Sequence, residues 1–242
     1  MTPVPPLTPV APVALVTEHT VYACVMGSRA FGLATEASDT DRRGVYVAPT
    51  PLFWGFEKPP PHMEGPAEEQ FSWELERFCE LALRGNPNIL ECLHSPLVEQ
   101  VDDTGRELLA LREAFLSRRV HTTYAGYAAD QRKKFAADVR AHGTPRRWKP
   151  VMHALRLLMC GRDLLRTGSL VLDVGAMREP LLAVRRGEVP WPEAEAWLNR
   201  LTEEAEEASR TSPLPGEPDH ARVEDFLIRV RRASAGAGAG AG

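Results

Sequence analysis

The sequence is poor in the features that mark several protein classes. Its 242 residues include only four cysteines, Cys24, Cys79, Cys92 and Cys160. None belongs to a CxxC pair, and no His or Cys stands at ligand spacing beside them, which argues against a structural zinc module. All four sit among apolar neighbours and read as buried free thiols of a reducing compartment. Long hydrophobic runs are absent too. No stretch reaches about 18 apolar residues without a charge, so no spanning helix is expected. The first 16 residues lack Lys and Arg and are cut by Pro3, Pro5, Pro6, Pro9 and Pro12, which fits neither a signal peptide nor an anchor. No internal repeat is evident. These absences point to a cytoplasmic protein with no membrane partner, and they leave the oligomeric state open.

What is present is unevenly distributed. The formal net charge is −4. Residues 105–166 carry 14 Lys/Arg against 5 Asp/Glu, so this block is +9 and the remainder −13. A basic block inside an acidic chain suggests a polyanionic ligand such as a nucleotide or nucleic acid.

The order of elements reads as α+β: a small mixed β-sheet with helices to about residue 98, then a helical region. Val-rich Thr20–Met26 suits a buried strand and Ser28–Leu33 a short helix. Asp39–Val47 resumes strand character, and Glu68–Phe71 is a short third strand. The proline-dense segment 49–66 reads as a loop. Phe71, Leu75, Phe78 and Ala82 form one apolar stripe of a helix over Trp73–Arg84, and Gly85 stops it. Asn86-Pro87 caps the next helix, Ile89–Leu93. Later helices are expected at 105–116, 117–138, 149–166, 178–186, 191–209 and 221–232. The implied organisation is a core at 1–98 (with a Pro-rich segment, 1–17), a helical domain at 99–233 and a disordered Gly/Ala tail at 234–242.

The chemistry concentrates in Met26-Gly-Ser-Arg-Ala-Phe-Gly-Leu33 and Ser38-Asp-Thr-Asp-Arg-Arg-Gly44. A strand ends at Gly27-Ser28 and a helix begins. Glycine lets backbone approach a ligand, the helix start offers free N–H groups to phosphate, and Ser28 adds a hydroxyl. Asp39 and Asp41 are two apart, so on an extended segment both carboxylates point to one side. Paired carboxylates beside a phosphate cradle make a Mg²⁺ site, which would neutralise a triphosphate for in-line attack by a hydroxyl. Alone, a Gly-Ser dipeptide is an ordinary turn and an Asp-x-Asp an ordinary solvated loop. Their ordered occurrence at this spacing is much rarer.

At these residues the chain resembles the DNA polymerase β-like nucleotidyltransferase superfamily. The run GSRAFGLATEASDTDRRGVYV resembles its RNA-repair-pathway polymerase-β branch more closely. Similarity continues through FCELALRGNPNILECLHSP (78–96), FLSRRVHTTYAGYA (115–128), WKPVMHALRLL (148–158), MREPLLAVRRGE (177–188) and SPLP (212–215). The resemblance implies a phosphate-binding turn at Gly27 and Ser28, and metal carboxylates at Asp39 and Asp41. It implies a third carboxylate, both catalytic and metal-binding, at Glu69, where the branch has an Asp. One or two Mg²⁺ ions would be the cofactor, with Mn²⁺ able to substitute. An NTP would be the substrate, and RNA, protein or a small molecule the acceptor.

Lys149, His153 and Arg156 fall at i, i+4 and i+7 of a helix opened by Pro150, a cationic stripe suited to a triphosphate. Arg29 and Arg42 flank the two motifs as phosphate contacts, though Arg42 also has acids to pair with. Arg118, Arg119, Arg132, Lys133 and Lys134, with Tyr124 and Tyr127, are candidates for holding a nucleic-acid acceptor, or else a charged helix with its tyrosines inward. Arg178 and Glu179 read as an internal ion pair. The leading expectation is transfer of an NMP from an NTP to a hydroxyl with release of pyrophosphate, in RNA repair. The alternatives are a catalytically inactive nucleotide- or RNA-binding module, and an operon partner-modifying protein of toxin–antitoxin type.

Overall fold

The computed structural model describes residues 12–237. Helix α1 (Pro12–His19) leads into β1 (Thr20–Val25), followed by the one-turn helix α2 (Gly27–Ala30) and β2 (Arg42–Tyr46). Strands β3 (His62–Glu64), β4 (Gln70–Glu74) and β5 (Val98–Val101) complete a five-stranded sheet of order β3-β4-β2-β1-β5. The β2–β4 pair is parallel and the other pairs are antiparallel. Strand β1 is central and buried on both faces. On one, Tyr22 donates its hydroxyl to the Cys92 carbonyl at 2.7 Å. On the other, the Val21 and Val25 side chains are buried. All four cysteines are buried and free, as their apolar neighbours imply.

Helix α3 (Leu75–Leu83) and α4 (Pro87–Leu93) form one side of the sheet. The expected helix from Trp73 starts later, because residues 70–74 are strand. Phe71 and Trp73 therefore belong to an alternating pattern, while Leu75, Phe78 and Ala82 are buried as helix residues. Glu74 marks the change: its carboxylate accepts the Glu76 N–H at 2.8 Å and caps α3. The Asn86 cap on α4 forms as expected, accepting from the Asn88 N–H at 3.0 Å. Strands β3 and β5 have no counterpart in the sequence reading, and β5 carries the sheet past residue 98. Both are short edge strands with exposed side chains, so neither needs an alternating apolar pattern.

Helices α5 (Asp103–Ala110), α6 (Val120–His142), α7 (Lys149–Thr167), α8 (Arg178–Arg186), α9 (Trp191–Arg210) and α10 (His220–Ala237) follow the expected order. A short 3₁₀ turn, Arg112–Phe115, splits the helix expected over 105–116. Helix α7 is the axis of this half, packed on α6, α8 and α9. One hydrophobic core runs from Tyr22, Phe78 and Leu90 through Tyr124, Leu155 and Leu198 to Phe226. Helix α10 includes Ser234–Ala237, four residues expected to be disordered; residues 238–242 and most of the Pro-rich segment lie outside the described residues. It returns to the sheet, where Arg231 pairs with Glu74 at 2.8 Å and lies 4.2 Å over the Phe53 ring.

Candidate active site

The end of β1 and the start of β2 are joined by a hydrogen bond from the Met26 N–H to the Asp41 carbonyl, 2.8 Å. Gly27 follows with φ +66, in the left-handed region. An added Cβ there would lie 1.9 Å from Asp41 Oδ2, so only glycine lets the turn and this carboxylate adjoin. Ser28 is the second residue of α2, and buried Ala30, Phe31 and Leu33 anchor it.

The Asp39–Asp41 segment is held from behind. Arg29 donates to the carbonyls of Asp39 (3.3 Å) and Ser38 (3.1 Å). The Ser38 hydroxyl accepts the Thr35 N–H at 2.9 Å. From α8, Arg178 donates to the Ala34 carbonyl at 2.8 Å. Arg29 thus serves the loop backbone and does not line the cavity. Arg178 does pair with Glu179, at 2.5 Å, but on the exposed surface rather than internally.

A cavity of about 220 Å³ is lined by Gly27, Ser28, Asp39, Asp41, Lys149, His153 and Arg156, together with Phe31, Ser38 and Arg185. The turn, the paired aspartates and the α7 stripe therefore meet in one place. Over residues 11–229 the sequence matches the RNA repair pathway DNA polymerase beta family. The chain belongs to this family. A 100-residue stretch, 39% of the chain, is 35% identical to YcgL of Bacillus subtilis (strain 168), an uncharacterized protein, and spans 38% of that protein's length. A nucleotidyltransferase-like protein from Exiguobacterium sibiricum 255-15 aligns over 90% of this chain and 76% of its own, at 12% identity and a TM-score of 0.28.

For a member of the RNA repair pathway DNA polymerase beta family, the α7 stripe carries less charge than its sequence suggests. Arg156 is 2% exposed; its Nη1 and Nη2 donate to Glu91 at 2.8 and 3.3 Å, and its guanidinium stacks 3.8 Å over the Phe31 ring. Burial opposes its charge, and Glu91 more than restores it. Its Nε has no partner among the described residues. Burial, then the nearby Arg156, Lys149 and Lys134 charges, push the His153 imidazole down to about 3. It is therefore neutral near pH 7, and Lys149 is the stripe's exposed cation.

Two further expected site residues stand apart from this cavity. Arg42 lies on the opposite face of β2 from Asp41 and pairs with Glu99 at 3.1 Å. Glu69 is exposed in the turn before β4, with φ 54. There its carbonyl, not its carboxylate, is engaged, accepting from the Arg42 N–H (3.0 Å) and Arg43 Nη1 (3.1 Å). Parallel register puts it beside Asp41 along the sheet, but it lines neither this cavity nor the next.

A second cavity, about 310 Å³, shares Gly27, Phe31, Asp41 and His153 with the first, and adds Arg43, Phe71, Trp73, Asn88 and Glu91. Arg43 is 3.5 Å from Asp41. Sequence reasoning passed over Arg43 and Glu91. The i, i+2 spacing of Asp41 and Arg43 was the available signal for the first, whereas Glu91 sits in an apolar run that masks it.

The expected nucleic-acid stripe on α6 has the other arrangement. Tyr124 is buried in the core, and the Tyr127 hydroxyl accepts from Asn86 Nδ2 at 2.8 Å. Arg119 pairs with Glu217, Arg132 with Glu195 and Lys133 with Asp130.

Among the described residues, no three His, Cys, Asp or Glu side chains group as a metal-binding set. Asp39 and Asp41 are nevertheless suited to Mg²⁺, which commonly takes one or two protein carboxylates and completes its shell with phosphate oxygens and water. Asp41 Oδ2 stands where a Cβ at Gly27 would go, and both carboxylates line the cavity there, a donor set that fits such a shell.

Proposed function

We propose that the protein is a Mg²⁺-dependent nucleotidyltransferase that moves a nucleoside monophosphate from an NTP to an acceptor hydroxyl, with RNA as the acceptor in a repair reaction. The observation that carries this reading is the junction of the Gly27 turn with Asp41 in a cavity also lined by Asp39, Lys149 and Arg185. Family membership supports it.

In this reading the Gly27-Ser28 amides and the Lys149 and Arg185 cations bind the triphosphate. Mg²⁺ on Asp39 and Asp41 would supply charge neutralisation at the phosphates. The acceptor oxygen forms a bond to the α-phosphorus, and the bond from that phosphorus to the bridging oxygen breaks. Pyrophosphate leaves, and the acceptor proton departs through the Asp41 carboxylate, the acid common to both cavities. Neutral His153 and the Arg156–Glu91 pair form the wall between those cavities and hold its shape.

The test is incubation of the full-length protein with Mg²⁺ and each labelled NTP, with and without RNA. Pyrophosphate release with label on the acceptor is expected. Asp39→Asn with Asp41→Asn should lower transfer by on the order of 10³ or more, with an unchanged circular dichroism spectrum. Transfer that survives both changes sinks the assignment. Glu69→Gln should cost far less, since its carboxylate lies outside both cavities. The displaced Glu69 also favours a second reading, a nucleotide-binding module without catalysis, for which nucleotide binds but no pyrophosphate appears with any acceptor.

A further inference from the structure

A third recess, about 580 Å³, adjoins the first cavity and shares Lys149, His153 and Arg185 with it as walls. Its other walls are Arg146, Arg147, Trp148 and Gln131, and no acidic side chain lines it. The four cations come from three places: the α6–α7 connection, the first residue of α7 and the end of α8. Among the described residues none of the four has a carboxylate within ion-pair distance. The adjacent Arg186, by contrast, is paired with Glu188 at 2.6 Å. Asp138 lies nearby but is engaged by backbone, so the four converging side-chain charges repel one another, and an anion seated among them relieves that repulsion. The loop that presents two of them is anchored by its backbone, since the N–H groups of Arg146 and Arg147 donate to Asp138 Oδ2 at 2.8 and 3.1 Å.

We propose that this recess binds the phosphodiester backbone of a single-stranded nucleic acid, leading the acceptor strand toward Asp41. The proposal rests on the transferase reading for the strand's role as acceptor. Several features favour nucleic acid over an acidic protein. Three of the four cations are arginines, whose planar forks match phosphate oxygens. Gln131 adds an amide that meets base or sugar edges. The recess adjoins the cavity where a nucleotide would react. It also extends beyond the 220 Å³ cavity at Gly27 in which a triphosphate would lie.

The experiment is fluorescence anisotropy of a fluorescein-labelled short oligouridylate with the full chain, in EDTA and without NTP. Saturable binding that weakens steeply with salt is expected. The double variant Arg146→Ala/Arg147→Ala should bind at least tenfold more weakly. Its log–log salt slope should be shallower by about 1.4, at about 0.7 per lost phosphate contact on a single strand. Its melting temperature should be unchanged, because the anchoring hydrogen bonds use backbone. Binding that the double variant retains in full overturns the proposal. So does equal displacement by inorganic tripolyphosphate with an NTP KM raised in the variant, which assigns the recess to the triphosphate. Tighter binding of polyglutamate than of oligouridylate overturns it in favour of an acidic protein. The Asp39→Asn/Asp41→Asn protein should bind the oligonucleotide as the wild type does, so a failed transfer assay and a failed strand site are told apart.

Discussion

Position 27 shows how one residue's lack of a side chain sets the site. Its φ of +66 and the Asp41 oxygen where a Cβ would go impose the same choice independently. Gly27→Ala should therefore add roughly 1–3 kcal/mol of backbone strain and displace the Asp41 carboxylate. Transfer is expected to fall about 10²-fold or more, measured as kcat/KM against thermal melting of the same protein. His153 makes a second residue-scale prediction. The unfolded chain binds a proton near the ordinary histidine value of 6.5, whereas the folded imidazole resists protonation until about pH 3. The unfolded state holds more protons across that window, so folding stability should fall as pH is lowered from 6.5 toward 3. The slope is at most about 1.4 kcal/mol per pH unit from this group. Half-buried His94 is shifted in the same direction. Urea midpoints at pH 7 and pH 5 should differ less for His153→Gln than for the wild type; an equal difference would place the acid sensitivity elsewhere. The Gly-Ser turn and Asp-x-Asp were legible because local spacing alone defines them. The neutrality of His153 was not, because burial and charges from other turns and helices produce it.

At the scale of elements, α4 and α7 are joined by the Glu91–Arg156 pair, both side chains 2% exposed. In sequence Arg156 reads as a ligand contact. In the fold, two of its nitrogens serve Glu91, its face covers Phe31, and Nε alone is without a partner. Removing one member strands a buried charge, so Glu91→Ala should cost about 3–5 kcal/mol in urea unfolding. The double change Glu91→Leu/Arg156→Met should cost clearly less than the two single changes summed, and additive values would deny the coupling. Helices were read well because α7, α8 and α9 carry long periodic patterns between clear stops. The misread elements have physical causes. Edge strands β3 and β5 bury too little to show alternation. The helix expected from Trp73 borrowed Phe71, whose ring belongs to the β4 face.

At the scale of the molecule, the charge asymmetry acquires a location. The basic block includes Arg146, Arg147 and Lys149 around one recess, while many of its other cations are paired on the surface. The sheet half and helical half share one core, and α10 closes it by returning to β4 and the 50–53 turn. Phe226, fully buried on α10, should therefore stabilise the whole chain. Phe226→Ala should lower unfolding free energy by about 3–5 kcal/mol in a single cooperative transition. Separate transitions for the two halves would contradict a shared core. Among the described residues no helix is long and apolar enough to cross a membrane, in line with the uninterrupted charge distribution of the sequence.

The sequence by itself determined the local chemistry: a turn that needs glycine, two carboxylates on one extended segment, and helices whose periodicity names their buried faces. These depend on neighbours within a few residues, which spacing encodes. Only the tertiary structure decided which charges are free. Arg42 is paired across the sheet, Arg156 is held by a glutamate 65 residues earlier, Glu69 is exposed in a turn, and Arg146, Arg147 and Arg185 have no ion-pair partner among the described residues. Charge and burial of a side chain depend on partners brought from distant parts of the chain, and no local pattern records them.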